Sequence, residues 1–456
     1  MVLFYTSIPH SFRTTLIGHL YEICQEYPVV LLAEELSPEV KTILEDKSLF
    51  PNLQEIIPVH QFTSQEKSLI KNYRRLQRLA KEVVSRYRPR LVITANDLYP
   101  FEMYLLRYAK MGGATTICIQ PGGMIASRIV KKWIDLTNAY TNLPKFIPIS
   151  VRLFLIPLRK YSRYLLYHWL APLLVKELPF PGMTSLSLGA TAAGTRADYQ
   201  VVFTERDYDI YLKEGVPEKK LIILAHPLTR NTKRIFNALL QQKSKHTNRT
   251  KGKVICLMLP SDLIIGFHRK DLSPITERQY RNIWLELIKL IHATLPDWNI
   301  FVKPHPSSVP LTGFERRLIK ISGRVNFVPP QEPAERYIKM ADIMTGLPPC
   351  ASTTLFIASL LRPDLPIISV DTEEEILGDY YKDFPGIDYV TTKDELEKKL
   401  KIISSGKYKK QAPPPTHSTD STSSPRASSG QVGGLTHKGF KNTIELIQYA
   451  LQEKAR

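Results

Sequence analysis

The sequence predicts an α/β protein made of two Rossmann-like domains facing a cleft, with a basic helical insertion in the N-domain. Three observations predict it. Apolar runs of strand length alternate with amphipathic helical stretches, and this rhythm is played twice, on either side of a basic linker. The strand runs are continuously apolar rather than alternating, which marks parallel strands covered on both faces. At 456 residues the chain also exceeds one ordinary hydrophobic core.

In the first half, VLFYTSI reads as a strand and RTTLIGHLYEICQEY as an amphipathic helix. PVVLLAEE is the next strand, followed by a helix near Lys41 and the short apolar stretch QEIIPV. A long basic helix, SQEKSLIKNYRRLQRLAKEVVSRY, leads into the strand RLVITAND. PFEMYLLRYAKMGG reads as a helix stopped by its glycines, and ATTICIQPGG as a strand entering a glycine loop. The second half opens with the strand KVICLMLPS, the helix TERQYRNIWLELIKLIHATL and the strand NIFVKPHP. VNFVPP, ADIMTG, LPIISVD and DYVTT continue the series with helices between them.

Two segments break the rhythm. Residues 127–181 carry nine Lys/Arg against two acidic residues, interleaved with Trp133, Tyr161, Trp169 and other aromatics. The stretch APPPTHSTDSTSSPRASSGQVGG is rich in Pro, Ser and Thr, cannot bury a core and is expected to be disordered. Beyond it, FKNTIELIQYALQEKA reads as an amphipathic helix. The resulting division is 1–126 with 182–235 as an N-terminal domain, 127–181 as an insertion and 252–403 as a C-terminal domain. Residues 404–434 form a disordered linker and 435–456 a closing helix.

The formal charge of +19 points to phosphate, nucleic acid or an anionic membrane surface as partner. No helix-turn-helix or RNA-binding aromatic motif accompanies it, so nucleic acid is not expected. The four cysteines show no metal spacing, and Cys118 and Cys256 lie inside strand-like runs, as free thiols in a reducing cytoplasm would. The opening MVLFYTSIPHSF lacks the pattern of a secretory signal, and no uncharged apolar stretch reaches the length of a bilayer span. The basic, aromatic insertion suits the headgroup layer of an anionic membrane, so peripheral attachment to the inner face of the plasma membrane is expected.

Ligands of open α/β sheets bind beyond the carboxyl ends of the strands, so polar strand exits are where chemistry is expected. NIFVKPHPSS ends its strand in Lys303 and His305, each followed by a proline that biases its backbone toward an extended conformation. The pair suits an anion. In MTGLPPCASTT a strand ends at Gly346, and Ser352, Thr353 and Thr354 stand where a helix begins. Such a start offers unpaired N–H groups and the positive end of the helix dipole to phosphate. In the first half the exits carry His10 in SIPHSF and Asp97 in TANDLYP. Either suits a general base, and Asp97 equally suits a cap for the helix beginning at Pro100. No metal-ligating cluster is legible.

VKPHPSS, VNFVPPQEPAERYIKMADIMTGLPPCASTTLFIASL and PIISVD together resemble the C-terminal half of bacterial glycosyltransferases of the GT-B fold, of the polysialyltransferase and capsule-polysaccharide type. In the N-terminal half, LVITANDLYPFEMYLLRYAKMGGATTICIQPGGMI is similar to their strand–helix–strand ending in a Gln-His-Gly loop. ADYQVVFTERDYDIYLKEGVPEKKLIILAHPL resembles the segment closing their N-domain with a Gly-His-Pro exit. The likeness spans most of residues 1–403 apart from the insertion. Pro121 stands where the loop has its histidine, and Ala225 where the exit has its glycine. UDP-GlcNAc epimerases share the general plan, but their Ser-Gly-Gly turn at the second helix start is absent.

The resemblance implies a metal-independent transfer of a sugar from a nucleotide donor to a surface or capsular glycan, or to a lipid-linked acceptor. The nucleotide-sugar is substrate and no cofactor is implied. Lys303, His305, Ser352, Thr353 and Thr354 would hold the donor phosphate, and Glu335 would meet the ribose. Gln120, Gly122 and Gly123 would form an acceptor loop, and Asp97 or His10 would act with His305 in catalysis. A nucleotide-sugar epimerase or hydrolase of the same fold is the alternative enzyme. A basic nucleic-acid-binding protein is the non-catalytic alternative.

Overall fold

The computed structural model of the chain describes residues 1–7, 12–34, 36–60, 69–97, 100–119, 196–213, 216–225, 227, 235, 252–260, 275–305, 312–348, 353–375, 381–382, 384, 386–409, 431–432, 435–436 and 439–455. It divides into two compact units: Met1–Leu239 with Thr419–Arg456, and Leu240–Ser418. The 127–181 insertion lies outside the described residues. No helix among the described residues is long and apolar enough to cross a membrane.

In the first unit, β1 (Val2–Thr6), β2 (Val29–Ala33), β3 (Leu53–Pro58), β4 (Leu91–Thr94), β5 (Thr115–Ile119), β6 (Tyr199–Val202) and β7 (Leu221–Leu224) are joined through helices. These are α1 (Ile17–Glu26), α2 (Pro38–Glu45), α3 (Leu69–Tyr87), α4 (Pro100–Met111) and α5 (Glu205–Lys213). Every residue of β1, β2, β4 and β5 is buried, as the continuous apolar runs predict. Successive side chains of β1 go to opposite cores. Val2 and Phe4 pack on the side of α1 and α2, while Leu3 and Tyr5 pack on the side of α3 and α4. Helix starts follow local chemistry: the Ser37 hydroxyl accepts from Val40 N at 3.4 Å with Pro38 next, a favoured first-turn arrangement.

The second unit contains β8 (Val254–Met258), β9 (Asn299–Lys303), β10 (Val325–Phe327), β11 (Ile343–Gly346), β12 (Ile367–Val370) and β13 (Asp388–Val390). Its helices are α6 (Glu277–Thr294), α7 (Thr312–Ile319), α8 (Ala334–Met340), α9 (Thr353–Leu361) and α10 (Lys393–Ser404). Capping boxes start α6 at Thr276 with Gln279 and α10 at Thr392 with Glu395. The chain then returns to the first unit. β14 (Gln431–Val432) pairs antiparallel with β15 (Leu435–Thr436), and β16 (Gly439–Phe440) and α11 (Thr443–Ala455) follow.

The strand orders are β16-β7-β6-β5-β4-β1-β2-β3 and β10-β9-β8-β11-β12-β13, and every pair described within these two sheets is parallel. The two Rossmann-like, doubly wound units are as the sequence predicts. In each, the winding direction reverses once, between β1 and β4 and between β8 and β11. These are the switch points at which such sheets open a crevice.

The chain end differs from expectation. Gln431–Val432 falls in the stretch read as disordered, yet it pairs with Leu435–Thr436. Phe440, read as the start of the closing helix, pairs with Leu224 and extends the first sheet instead. A short strand edge offers β16 a hydrogen-bonded ladder that composition does not reveal. Helix α11 then buries Leu446, Ile447 and Ala450 in the first unit's core.

A polar knot fixes its start. The Thr443 hydroxyl donates to Glu22, the Thr443 N–H donates to the same carboxylate at 3.1 Å, and His19 Nδ1 lies 2.8 Å from the Thr443 hydroxyl. All three side chains are buried. Since the hydroxyl's proton goes to Glu22, His19 Nδ1 is the donor in its contact. Replacing Thr443 with Val keeps the shape but strips a hydrogen bond from a buried carboxylate, which costs about 2 kcal/mol. Urea unfolding should show that loss, and hydrogen exchange should quicken in residues 443–455 while α10 stays as protected as in the wild type.

Candidate functional site

At the first unit's switch point, β1 is followed by Ser7 and β4 by Asn96 and Asp97. Asn96 Nδ2 donates to Ser7 Oγ at 3.1 Å, tying the two strand exits together. Asp97 is fully buried. Its Oδ2 accepts from Arg196 N at 2.8 Å, and Arg196 Nη1 donates to the Asp97 carbonyl at 3.0 Å. The segment entering β6 therefore clamps the turn after β4 from both its side chain and its backbone.

A second carboxylate, Glu102 in the first turn of α4, is also fully buried. Both acids act on Cys118 of β5. Burial pushes that thiol well above its usual range, Asp97 adds to the rise, and Glu102 adds a smaller share. Tyr211 is raised by burial first, with Asp97 among the charges that add to it. Lys220 is lowered by burial, with Asp198 and Asp97 opposing. Asp97 thus lies within electrostatic reach of a thiol, a phenol and an ammonium.

In the second unit the exits are pinned by backbone and side-chain bonds. Leu259 N donates to Lys303 O at 2.9 Å, Leu347 N to Met258 O at 3.0 Å, and Val328 N to Val302 O at 2.9 Å. Trp284 Nε1 donates to Pro348 O at 2.7 Å, fixing the turn after β11. Lys303 is placed differently from its expected role. Its ammonium donates to the Pro304 carbonyl at 2.7 Å and the Pro330 carbonyl at 2.6 Å, and the residue is 3% exposed. It locks the strand exit to the loop after β10 rather than presenting its charge to a surface ligand.

Glu335 is buried at 2% exposure and acts with Glu332 on Lys303, so the expected ribose contact is likewise turned inward. Glu332 itself receives Arg336 Nη1 at 3.1 Å and Tyr337 OH at 2.9 Å. The physical reason for both corrections is the same. The fold buries both side chains, and a buried ammonium is tolerated only where carbonyls and nearby carboxylates offset its lost hydration.

His305 follows this clamp and is half-buried, and α9 begins at Thr353 with Thr354 half-buried in its first turn. His10, Gln120, Gly122, Gly123 and Ser352 lie outside the described residues. Sequence reasoning missed Ser7, Asn96, Arg196 and Glu102. Asn96 and Glu102 carried a signal, as polar residues set among apolar neighbours beside Asp97. Arg196 carried none, being 99 residues from its partner.

Burial lowers the Lys303 ammonium to about 8, against the smaller opposing effects of Glu335 and Glu332. The unfolded chain keeps this proton to about pH 10.4, so between the two values it binds more protons than the folded state. The stability of the wild type relative to Lys303→Met should therefore rise as pH increases from about 8 to about 10.4, and stay level below 8. Urea unfolding of both proteins across that range tests the sign, and a difference that falls or stays flat would contradict the buried ammonium.

No family model matches this sequence, and no curated protein matches it. Solved structures do. The UDP-GlcNAc 2-epimerase from Neisseria meningitidis, bound to UDP-GlcNAc, is 13% identical, with 99% of each chain covered and a TM-score of 0.52. The UDP-GlcNAc 2-epimerase from Methanocaldococcus jannaschii is 11% identical, covering 90% of this chain and 95% of its own, with a TM-score of 0.51. At such identity the likeness shows the fold alone, which is GT-B-like. It also corrects the sequence reading. Both of these structures are UDP-GlcNAc 2-epimerases rather than polysialyltransferases or capsule transferases, so the transferase assignment is set aside.

Proposed function

We propose that this protein is a nucleotide-sugar epimerase acting on a UDP-linked N-acetylhexosamine. The observation that carries this reading is the extent of the likeness to the Neisseria meningitidis enzyme, which takes in both Rossmann-like units and 99% of each chain. The site chemistry supports it. Inverting a sugar carbon breaks a C–H bond and remakes it on the opposite face, so one group must take a proton and one must return it. Asp97 is the proposed proton acceptor, because it is a carboxylate set at a switch point and oriented by Arg196; it is closed off from solvent here, so this role requires the substrate to displace what covers it. Glu102 is the second acid of that turn. In the other unit, His305 and the start of α9 at Thr353 suit the nucleotide's phosphates, with Lys303 fixing the loop after β10.

Incubation of the purified full chain with UDP-GlcNAc in D₂O tests this directly. Proton NMR should show a second sugar-nucleotide isomer together with loss of the proton signal at the inverted carbon. Asp97→Asn should slow both by about 10²–10⁴-fold, the usual contribution of a general base. The rise in Tm produced by UDP should persist in that variant, since a ligand bound to the folded state stabilises it whether or not chemistry follows. Absence of both a second isomer and deuterium uptake, at UDP-GlcNAc concentrations that raise Tm, would reject the epimerase reading.

A further inference from the structure

The first unit holds a cavity at the opposite end of its sheet from Asp97. It has a volume of about 680 Å³ and lies between the last turns of α3 and α4. Arg88 and Pro89 lead into β4 and Gly112 leads toward β5, so the cavity opens at the amino ends of those parallel strands. Its volume is that of a small-molecule site. Val84 and Ala109 form a buried apolar floor, and the cations Lys81, Arg88 and Arg107 surround it. No carboxylate is among the lining residues described.

Two further observations point the same way. The first is backbone conformation. Helix α4 ends at Gly113, whose φ of +80° is the left-handed conformation that glycine adopts without cost. Helix α3 ends with the same left-handed turn, but the residue there is Arg88, at φ +41°. A long side chain is kept where glycine would be easier, and it stands at the cavity wall.

The second observation is charge. Helix α3 carries six Lys/Arg and one acidic residue. Lys71, Arg74, Arg78 and Lys81 recur at spacings of three and four, so they form one exposed stripe that ends at the cavity. None of these four has an ion-pair partner among the described residues. Such a stripe concentrates anions at its end.

We infer that this cavity binds a phosphate-bearing ligand of at least two negative charges, either a soluble phosphate ester or the headgroup of a phospholipid. The apolar floor takes the uncharged part of the ligand, and Lys81, Arg88 and Arg107 take its phosphates. This site is separate from the proposed catalytic groups and does not depend on the epimerase reading.

The test uses the full chain, with inorganic pyrophosphate and vesicles as probes. Arg88→Gly and the double variant Lys81→Gln with Arg107→Gln are compared with the wild type by calorimetric titration of pyrophosphate. Sedimentation with phosphatidylcholine vesicles, with and without phosphatidic acid, forms the second arm. Far-ultraviolet circular dichroism serves as the control and should be unchanged in both variants. Pyrophosphate affinity should fall at least tenfold in each, and Arg88→Gly should hold or raise Tm because it relieves the left-handed arginine. If the variants also lose sedimentation with the phosphatidic acid vesicles, the phosphate is lipid-borne; if only pyrophosphate binding falls, it is soluble. Variants that bind both probes within twofold of wild type would overturn the proposal, as would a lowered Tm for Arg88→Gly, which would make Arg88 structural.

Discussion

Parallel pairing is the constraint on which the rest of this molecule depends. A strand with neighbours running its own way needs a crossover helix, and successive crossovers cover both faces of the sheet. The strands must then be buried at every position, as β1, β2, β4 and β5 are. Polar groups are pushed to the strand ends, and all carboxyl ends of one sheet emerge along the same edge. Chemistry has one place to gather in each unit.

That edge is held by specific polar contacts rather than by apolar packing. Asn96 bridges to Ser7 across the first switch point, Arg196 grips Asp97, Trp284 fixes the turn after β11, and Lys303 ties two proline carbonyls together. Each of these buried groups would be costly if left without a partner, so each contact is specific as well as stabilising. The chain end obeys the same logic. Thr443 reaches back 421 residues to Glu22, a separation whose entropic cost grows only logarithmically, and the knot lets α11 close over the first core.

The functional reading shifts for a physical reason. A Lys-Pro-His-Pro exit and a threonine-led helix describe how a Rossmann-like unit can receive phosphate, and that task is common to enzymes that transfer sugars and enzymes that invert them. What separates the two chemistries is the set of groups near the reacting carbon. In the proposed reading that set is Asp97 and Glu102, which are both buried and both act on Cys118. The likeness to the two epimerases extends over both units and shows the fold that they share with this chain.

The sequence by itself determined the fold class, the order of strands and helices from β1 to β5 and from β8 to β13, and the strand exits at Asp97 and at Lys303–His305. Those features rest on local periodicity, proline and capping chemistry, which a short window contains. It also marked α3 as unusually basic without revealing the cavity at its end. Only the tertiary structure decided that Lys303 and Glu335 face inward under the Pro330 loop, that Arg196 orients Asp97, and that Phe440 joins β7 as an edge strand. Each of those depends on a partner tens to hundreds of residues away, whose position is set by strand order. A charged residue reads alike in sequence whether it meets solvent or a buried carbonyl, and the surrounding fold chooses between them by which alternative leaves fewer polar groups without a partner.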